Sequence, residues 1–199
     1  MSGNPAKRTV RPKMSGPKIT GEDRLPGDLA PAALIERMIR VDHAGEFGAA
    51  RIYAGQLAVL GRSKNAATIR RMAEQEQRHL AAFDKLIVQR RVRPTALSPL
   101  WHAAGFALGA ASAALGERAA MACTVAVEEV IGAHYAAQAA KLGDDEAELR
   151  GLIEEFRADE MAHRDTGLAE GAEEMAGYRP FTDAIKAGTR LAIWLSERV

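Results

Sequence analysis

A lone cysteine, Cys123, excludes an internal disulfide framework and suits a reducing compartment. It lies in the apolar stretch MACTVAVEEV and reads as a small buried hydrophobe. A formal net charge of +1 leaves no basic face of the kind a dedicated nucleic-acid binder needs. No secretory h-region precedes the first charged residues. A Gly-rich phosphate loop is missing too: GAASAALG has no strand before it, which excludes a dinucleotide fold. Aromatics are scarce at 5%, whereas hydrophobic residues make up 47% and Ala dominates them. Ala and straight-chain residues lose little on entering a helix, so the composition predicts an all-α chain. At 199 residues it fits one domain with its own core.

Residues 1–30 hold four of the eight prolines, with Lys or Arg at 7, 8, 11, 13, 18 and 24 and no apolar run. They are expected to form a disordered basic tail able to touch anionic lipid, leaving 31–199 as the folded domain. Pro31 suits a first helical turn with Asp28 as a cap, and the helix it opens is expected to stop at Gly61. A second helix is predicted from Ala66 to Arg93, ended by Pro94. Residues 118–142 and 146–176 repeat the arrangement, giving two helical hairpins.

What the chain does have is one pattern twice. Glu46 precedes Glu76-x-x-His79 by 30 residues, and Glu128 precedes Glu160-x-x-His163 by 32. Tyr53 and Gln56 follow Glu46 at the spacings with which Tyr135 and Gln138 follow Glu128. Residues three apart share a helix face, so each Glu and His can converge on one pocket. Four carboxylates and two imidazoles from four helices are the ligands of a two-metal site in a ferritin-like four-helix bundle. Glu46 and Glu128 sit among small and apolar neighbours, where a carboxylate is costly unless a cation compensates it. Four carboxylates balance two divalent ions, and oxygen donors with one imidazole each suit iron or manganese, iron where oxygen chemistry is intended. Asp42 could accept a hydrogen bond from a ligand His. Glu74, Glu129, Glu155 and Asp159 are expected at the surface or in ion pairs. His134 and Tyr135 are candidates to line a substrate channel, as is Tyr53; His43 and His102 are expected to be structural or exposed.

From Pro94 to Gly116 run 23 residues without a formal charge. This crossover could span a bilayer, enter one leaflet or cap the bundle, and composition does not separate the last two. The stretch FTDAIKAGTRLAIWLSERV predicts a C-terminal amphipathic helix that packs on the bundle or lies at a membrane surface.

The strings RVDHAGEFGAARIYAGQLAVLGR, EQRHL, RVRPTALSPLWHAAGFALGA, MACTVAVEEVIGAHY, ADEMAHRDTGL and AGTRLAIWLSERV closely resemble the demethoxyubiquinone hydroxylase family, over about Leu34 to Val199. The resemblance implies a di-iron monooxygenase of ubiquinone biosynthesis that hydroxylates a polyprenyl demethoxyquinol ring with O2. It implies that Glu46, Glu76, His79, Glu128, Glu160 and His163 hold the two Fe ions. It places His134 and Tyr135 near the quinone ring, and a half-inserted crossover helix at the lipid. Electrons could come from NADH, passed through the quinone itself or from a reductase. A lipid-binding accessory protein is an expected partner and a homo-oligomer an open one, on the cytoplasmic face of a bacterial membrane or the matrix side of a mitochondrial one. The alternative is a rubrerythrin-like ferroxidase or peroxidase with the same metal core.

Overall fold

The computed structural model describes residue 27 and residues 29–199, so the expected tail and the Asp28 cap lie almost wholly outside the described residues. Among the described residues the chain is helical throughout and has no strand. Six helices follow in order: α1 (Pro31–Leu60), α2 (Ala66–Gln89), α3 (Ser98–Ala114), α4 (Glu117–Ala139), α5 (Ala147–Ala169) and α6 (Tyr178–Ser196). Pro31 occupies the first turn of α1, where its missing N–H costs nothing.

Helices α1 with α2 and α4 with α5 are the two expected hairpins, α3 is the crossover and α6 the C-terminal helix. Helix α3 lies along α1, and α6 packs on α4. Contacts of Asp42 with Gln138 and of Gln56 with Thr124 show that α1 and α4 run antiparallel. This is the ferritin-like arrangement of four helices with one long crossover.

Two helix ends differ from expectation. Helix α2 stops at Gln89 rather than Arg93, because Arg91 adopts a left-handed φ of 51° and the N–H of Val92 returns to the Ile87 carbonyl at 2.9 Å. That closure satisfies carbonyls the helix end would otherwise orphan, and it buries Val92. Helix α5 ends at Ala169 rather than running to 176, since Gly171 turns left-handed before a short 3-10 turn, Ala172–Glu174.

The crossover uses glycine for contact. A Cβ on Gly109 would lie 1.9 Å from the Ile52 carbonyl oxygen, and one on Gly55 would lie 2.2 Å from that of Phe106. Backbone therefore meets backbone between α1 and α3. Only 17 of the 23 uncharged residues form α3, and no described helix is long and apolar enough to cross a membrane.

Apolar residues cluster at two levels. Met38, Ile39, Phe83, Ile131, Tyr135, Ile153 and Phe156 pack at one, and Tyr53, Ile69, Met72, Met121 and Val125 at the other. On α2 and α5 the Glu of each Glu-x-x-His falls between the two clusters, whereas on α1 and α4 the first cluster runs past the acid, to Ile52 and to Cys123. Cys123 is buried, as expected, and burial pushes its thiol up to about 12.

Gly109→Val forces α3 off α1. Overpacking of this kind costs about 1–3 kcal/mol, a Tm drop of roughly 2–12 °C for a chain of this size. Gly151→Ala, where an added Cβ meets nothing within 4 Å, is the control and leaves Tm equal or higher by circular dichroism.

Candidate metal centre

All six repeated residues are buried: Glu46 and Glu76 from α1 and α2, His79 from α2, Glu128 from α4, Glu160 and His163 from α5. They form two overlapping sets, Glu46, Glu76, His79 and Glu160 on one side and Glu76, Glu128, Glu160 and His163 on the other. Within each set the donor atoms lie within 4.8 Å of one another. Glu76 and Glu160 belong to both sets and are placed to bridge.

Each imidazole turns Nδ1 inward. Nδ1 of His79 lies 3.1 Å from Glu160 and 3.4 Å from Glu46, and Nδ1 of His163 lies 3.0 Å from Glu76 and 3.3 Å from Glu160. These nitrogens, both oxygens of Glu76 and Glu160, and Oε2 of Glu46 and Glu128 are buried without a hydrogen-bond partner. A folded protein rarely leaves so many polar atoms unsatisfied at one point. Metal cations held among them would satisfy these atoms. Oxygen donors with one imidazole per position fit iron or manganese and lack the thiolates of a closed structural zinc site.

The protonation pattern has the same cause. Burial, then the Glu160 charge, pushes Glu76 and Glu128 well up, and burial pushes Glu46 up. Burial opposes the charge on His79, but the Glu160 and Glu46 carboxylates outweigh it and raise the ring to about 11. Glu160 resists its own burial because both imidazoles face it, and it falls to about 2. His163 is raised by Glu160 and Glu128 against its burial.

Hydrogen bonds hold the outer sides. Tyr53 donates to Glu128 at 2.8 Å, and Tyr135 donates to Glu46. Burial and the nearby carboxylates push both phenols well up, so they remain donors. Nε2 of His79 meets Asp159 Oδ2 at 3.0 Å, and Nε2 of His163 meets Gln75 Oε1 at 3.2 Å.

Asp42 does not orient a ligand histidine. It accepts from Gln138 Nε2 at 2.8 Å and lies 3.5 Å from His134, because one turn before Glu46 α1 faces α4 and not the helices that carry the ligand rings. That role falls to Asp159, expected at the surface or in an ion pair, and to Gln75, which went unnoticed. The available signal was positional, since each immediately precedes the Glu of a Glu-x-x-His. His134 and Tyr135 part company: Tyr135 is buried against Glu46, while His134 is partly exposed and lines a recess with Glu129, Lys186 and Arg190. Glu129 is ion-paired with Lys186 at 2.6 Å, as expected. His43 contacts Asp84 at 3.0 Å, and His102 rests against Phe47.

The sequence pattern of the family described as "Ubiquinone biosynthesis protein COQ7" matches residues 33–196. The chain belongs to the COQ7 family. It is 61% identical to the 3-demethoxyubiquinol 3-hydroxylase of Rhodospirillum rubrum over 181 residues, 90% of this chain and 85% of that protein. It is 52% identical over 171 residues to the human NADPH-dependent 3-demethoxyubiquinone 3-hydroxylase, mitochondrial, covering 84% and 79% of the two chains. With the Saccharomyces cerevisiae 5-demethoxyubiquinone hydroxylase, mitochondrial, it shares 41% over 187 residues, covering 85% and 80%.

Glu46, Glu76 and Glu128 keep protons in the fold that they give up on unfolding, and both ring histidines do likewise. Above the ordinary carboxylate range the fold therefore binds more protons than the unfolded chain, and its stability falls as pH rises. Glu160 works the other way, but its contribution is lost only as pH falls toward about 2. Thermal melts of metal-stripped protein from about pH 5 to about pH 8 are expected to show a falling Tm, which saturating Fe(II) or Mn(II) abolishes. A Tm that climbs across this window contradicts the carboxylate cluster.

Proposed function

We propose that this chain is a di-iron monooxygenase that hydroxylates the ring of a polyprenyl demethoxyubiquinol with O2. The observation that carries the reading is the pair of overlapping donor sets, whose inward atoms cations would satisfy, in a chain so similar to hydroxylases of this substrate class. Glu46, Glu76, His79 and Glu160 would hold one ion, and Glu76, Glu128, Glu160 and His163 the other. Bound iron supplies the electrons and Lewis acidity for reducing O2.

The chain's own residues supply the rest. An apolar cavity of about 500 Å³ opens between α1, α3, α4 and α6, lined by Gly48, Ile52, Trp101, Leu108, Val127 and Ile131 among others. Its size suits a drug-sized apolar ligand, and an isoprenoid tail has the matching chemistry. Gly45 and Val127 of its wall adjoin Glu46 and Glu128 in the sequence, so a bound ring sits on the side of the terminal carboxylates. Tyr53 and Tyr135 hold those carboxylates in orientation. Gln138 Nε2 contacts both His134 and Asp42, tying the buried carboxylate to the partly exposed imidazole, and with Tyr135 these groups would serve the quinone side of the site. One oxygen atom enters the ring and the other leaves as water, with two electrons from NADH or NADPH; the mammalian relatives carry NADPH in their names.

The membrane role follows from the same face. Leu100, Phe106 and Leu115 of the α3 segment and Leu191, Trp194 and Val199 of the α6 segment are exposed, and the Arg198 guanidinium lies 4.0 Å over the Trp194 ring. Exposed apolar and aromatic groups beside Lys186, Arg190 and Arg198 suit peripheral binding to an anionic leaflet. The location would be the cytoplasmic face of a bacterial membrane, with the matrix side of the mitochondrial inner membrane as the alternative; the human and yeast relatives are named mitochondrial. A lipid-binding accessory protein or a second copy of the chain would dock on this face. A soluble ferroxidase or peroxidase has no use for such a cavity.

Incubation of the iron-loaded protein with a demethoxyubiquinol, reductant and 18O2 is expected to place one labelled atom on the ring. His163→Ala and Glu128→Ala are expected to lose iron and product together; retained iron and turnover would refute the ligand assignment. Leu191→Asp with Trp194→Asp is expected to weaken flotation with anionic vesicles at least about tenfold while iron content stays unchanged, since each buried apolar side chain contributes about 1.5–3 kcal/mol.

A further inference from the structure

The site is built on an approximate two-fold, and that symmetry breaks around the two rings. Residues 42–56 correspond to 124–138 (128 − 46 = 82), and 75–79 to 159–163 (160 − 76 = 84). Two bonds from the first copy to the second have counterparts running back. Tyr53 donates to Glu128 and Tyr135 to Glu46; Gln56 reaches Thr124 at 3.5 Å and Gln138 reaches Asp42 at 2.8 Å. Each ring points Nδ1 at the carboxylates and Nε2 outward. The donors on the two sides are the same in type and number.

The outer partners of the rings differ. His79 gives its Nε2 proton to the Asp159 carboxylate at 3.0 Å, and His163 gives its own to the Gln75 amide oxygen at 3.2 Å. Counterparts in the repeat are thus an anion on one side and a neutral group on the other. An anionic acceptor draws on the Nε2–H bond, raises electron density at Nδ1 and adds charge behind the ligand. The Asp159 side chain is 35% exposed, so water screens part of its field and the effect travels chiefly through the hydrogen bond. Asp42 also differs from its counterpart Thr124, but its contacts are Gln138 and His134 rather than either ring.

We propose that Asp159 and Gln75 make the two metal positions unequal, so that the position formed by Glu46 and His79 fills before the one formed by Glu128 and His163. The proposal rests on the two-metal reading above and adds an order to it. Asp159 and Gln75 are positioning residues that act through the rings. Changing such an outer partner typically alters metal affinity by about 10–100-fold, enough to set a filling order.

The test uses the full chain stripped of metal and given about half an equivalent of 57Fe(II) without oxygen, read by Mössbauer spectroscopy. Sub-stoichiometric loading reports the choice between positions apart from repulsion between two bound ions. The wild type is expected to show one quadrupole doublet in at least about tenfold excess. Asp159→Asn keeps an acceptor oxygen but removes the charge, and is expected to populate both doublets comparably. Gln75→Glu combined with Asp159→Asn moves the charge to the other ring and is expected to make the second doublet dominant. Equal doublets in the wild type, or an unchanged excess in Asp159→Asn, overturn the proposal. Failure of the wild type to bind two ferrous ions at saturation overturns the two-metal reading along with it, whereas two ions bound without preference reject the ordering alone.

Discussion

Four carboxylates meet in the dry middle of the bundle, and most of the surrounding structure answers to their mutual repulsion. Removing a charge from water costs several kcal/mol even after relaxation, and here the cost is compounded by proximity. Four negative charges against two divalent ions come to zero, so the cluster is costly alone and neutral when loaded. The phenols of Tyr53 and Tyr135 take one oxygen each from the terminal carboxylates, and the two apolar levels above and below exclude water. Metal binding and folding would thereby be linked, since cations in place of the retained protons would offset the burial of the acids.

The clustering of the six residues was legible because helical geometry converts spacing into position. Glu-x-x-His places two donors on one face, and its recurrence with a Glu upstream left little room for coincidence. Gln75 and Asp159 escaped for a geometric reason. A residue beside a ligand projects about 100° away around the helix and, judged on its own helix, belongs to the solvent side. Only the packing of α2 against α5 brings each of them to the ring on the opposite helix. Asp42 shows the converse error, where a face was identified correctly and its neighbour was not.

The fold was legible to a similar depth. Hairpins, crossover and terminal helix follow from proline, glycine and periodicity, but the end of α2 depended on the left-handed turn at Arg91, which no residue type announces. The uncharged crossover was ambiguous for a physical reason. Ala and Gly serve a lipid-facing segment and a tightly packed helix equally well, and here the glycines at 105 and 109 lie against the α1 backbone while Leu100 and Phe106 face outward. One helix packs on α1 with one side and exposes apolar residues on the other, which composition averages away.

Helix pairing also separates access from tuning. Every residue lining the apolar cavity comes from α1, α3, α4 or α6, and none from α2 or α5. The terminal carboxylates Glu46 and Glu128 are carried by helices of the first group, and the histidines with their outer partners by the second. A hydrophobic ligand can therefore approach the carboxylate side without disturbing the hydrogen bonds that set the imidazoles. The cross-bracing makes this division depend on both hairpins at once. Each hairpin supplies the terminal Glu and His of one position, while the groups that orient them and one bridging Glu come from the other. Neither hairpin alone presents a complete position, so the repeat is two halves of one centre.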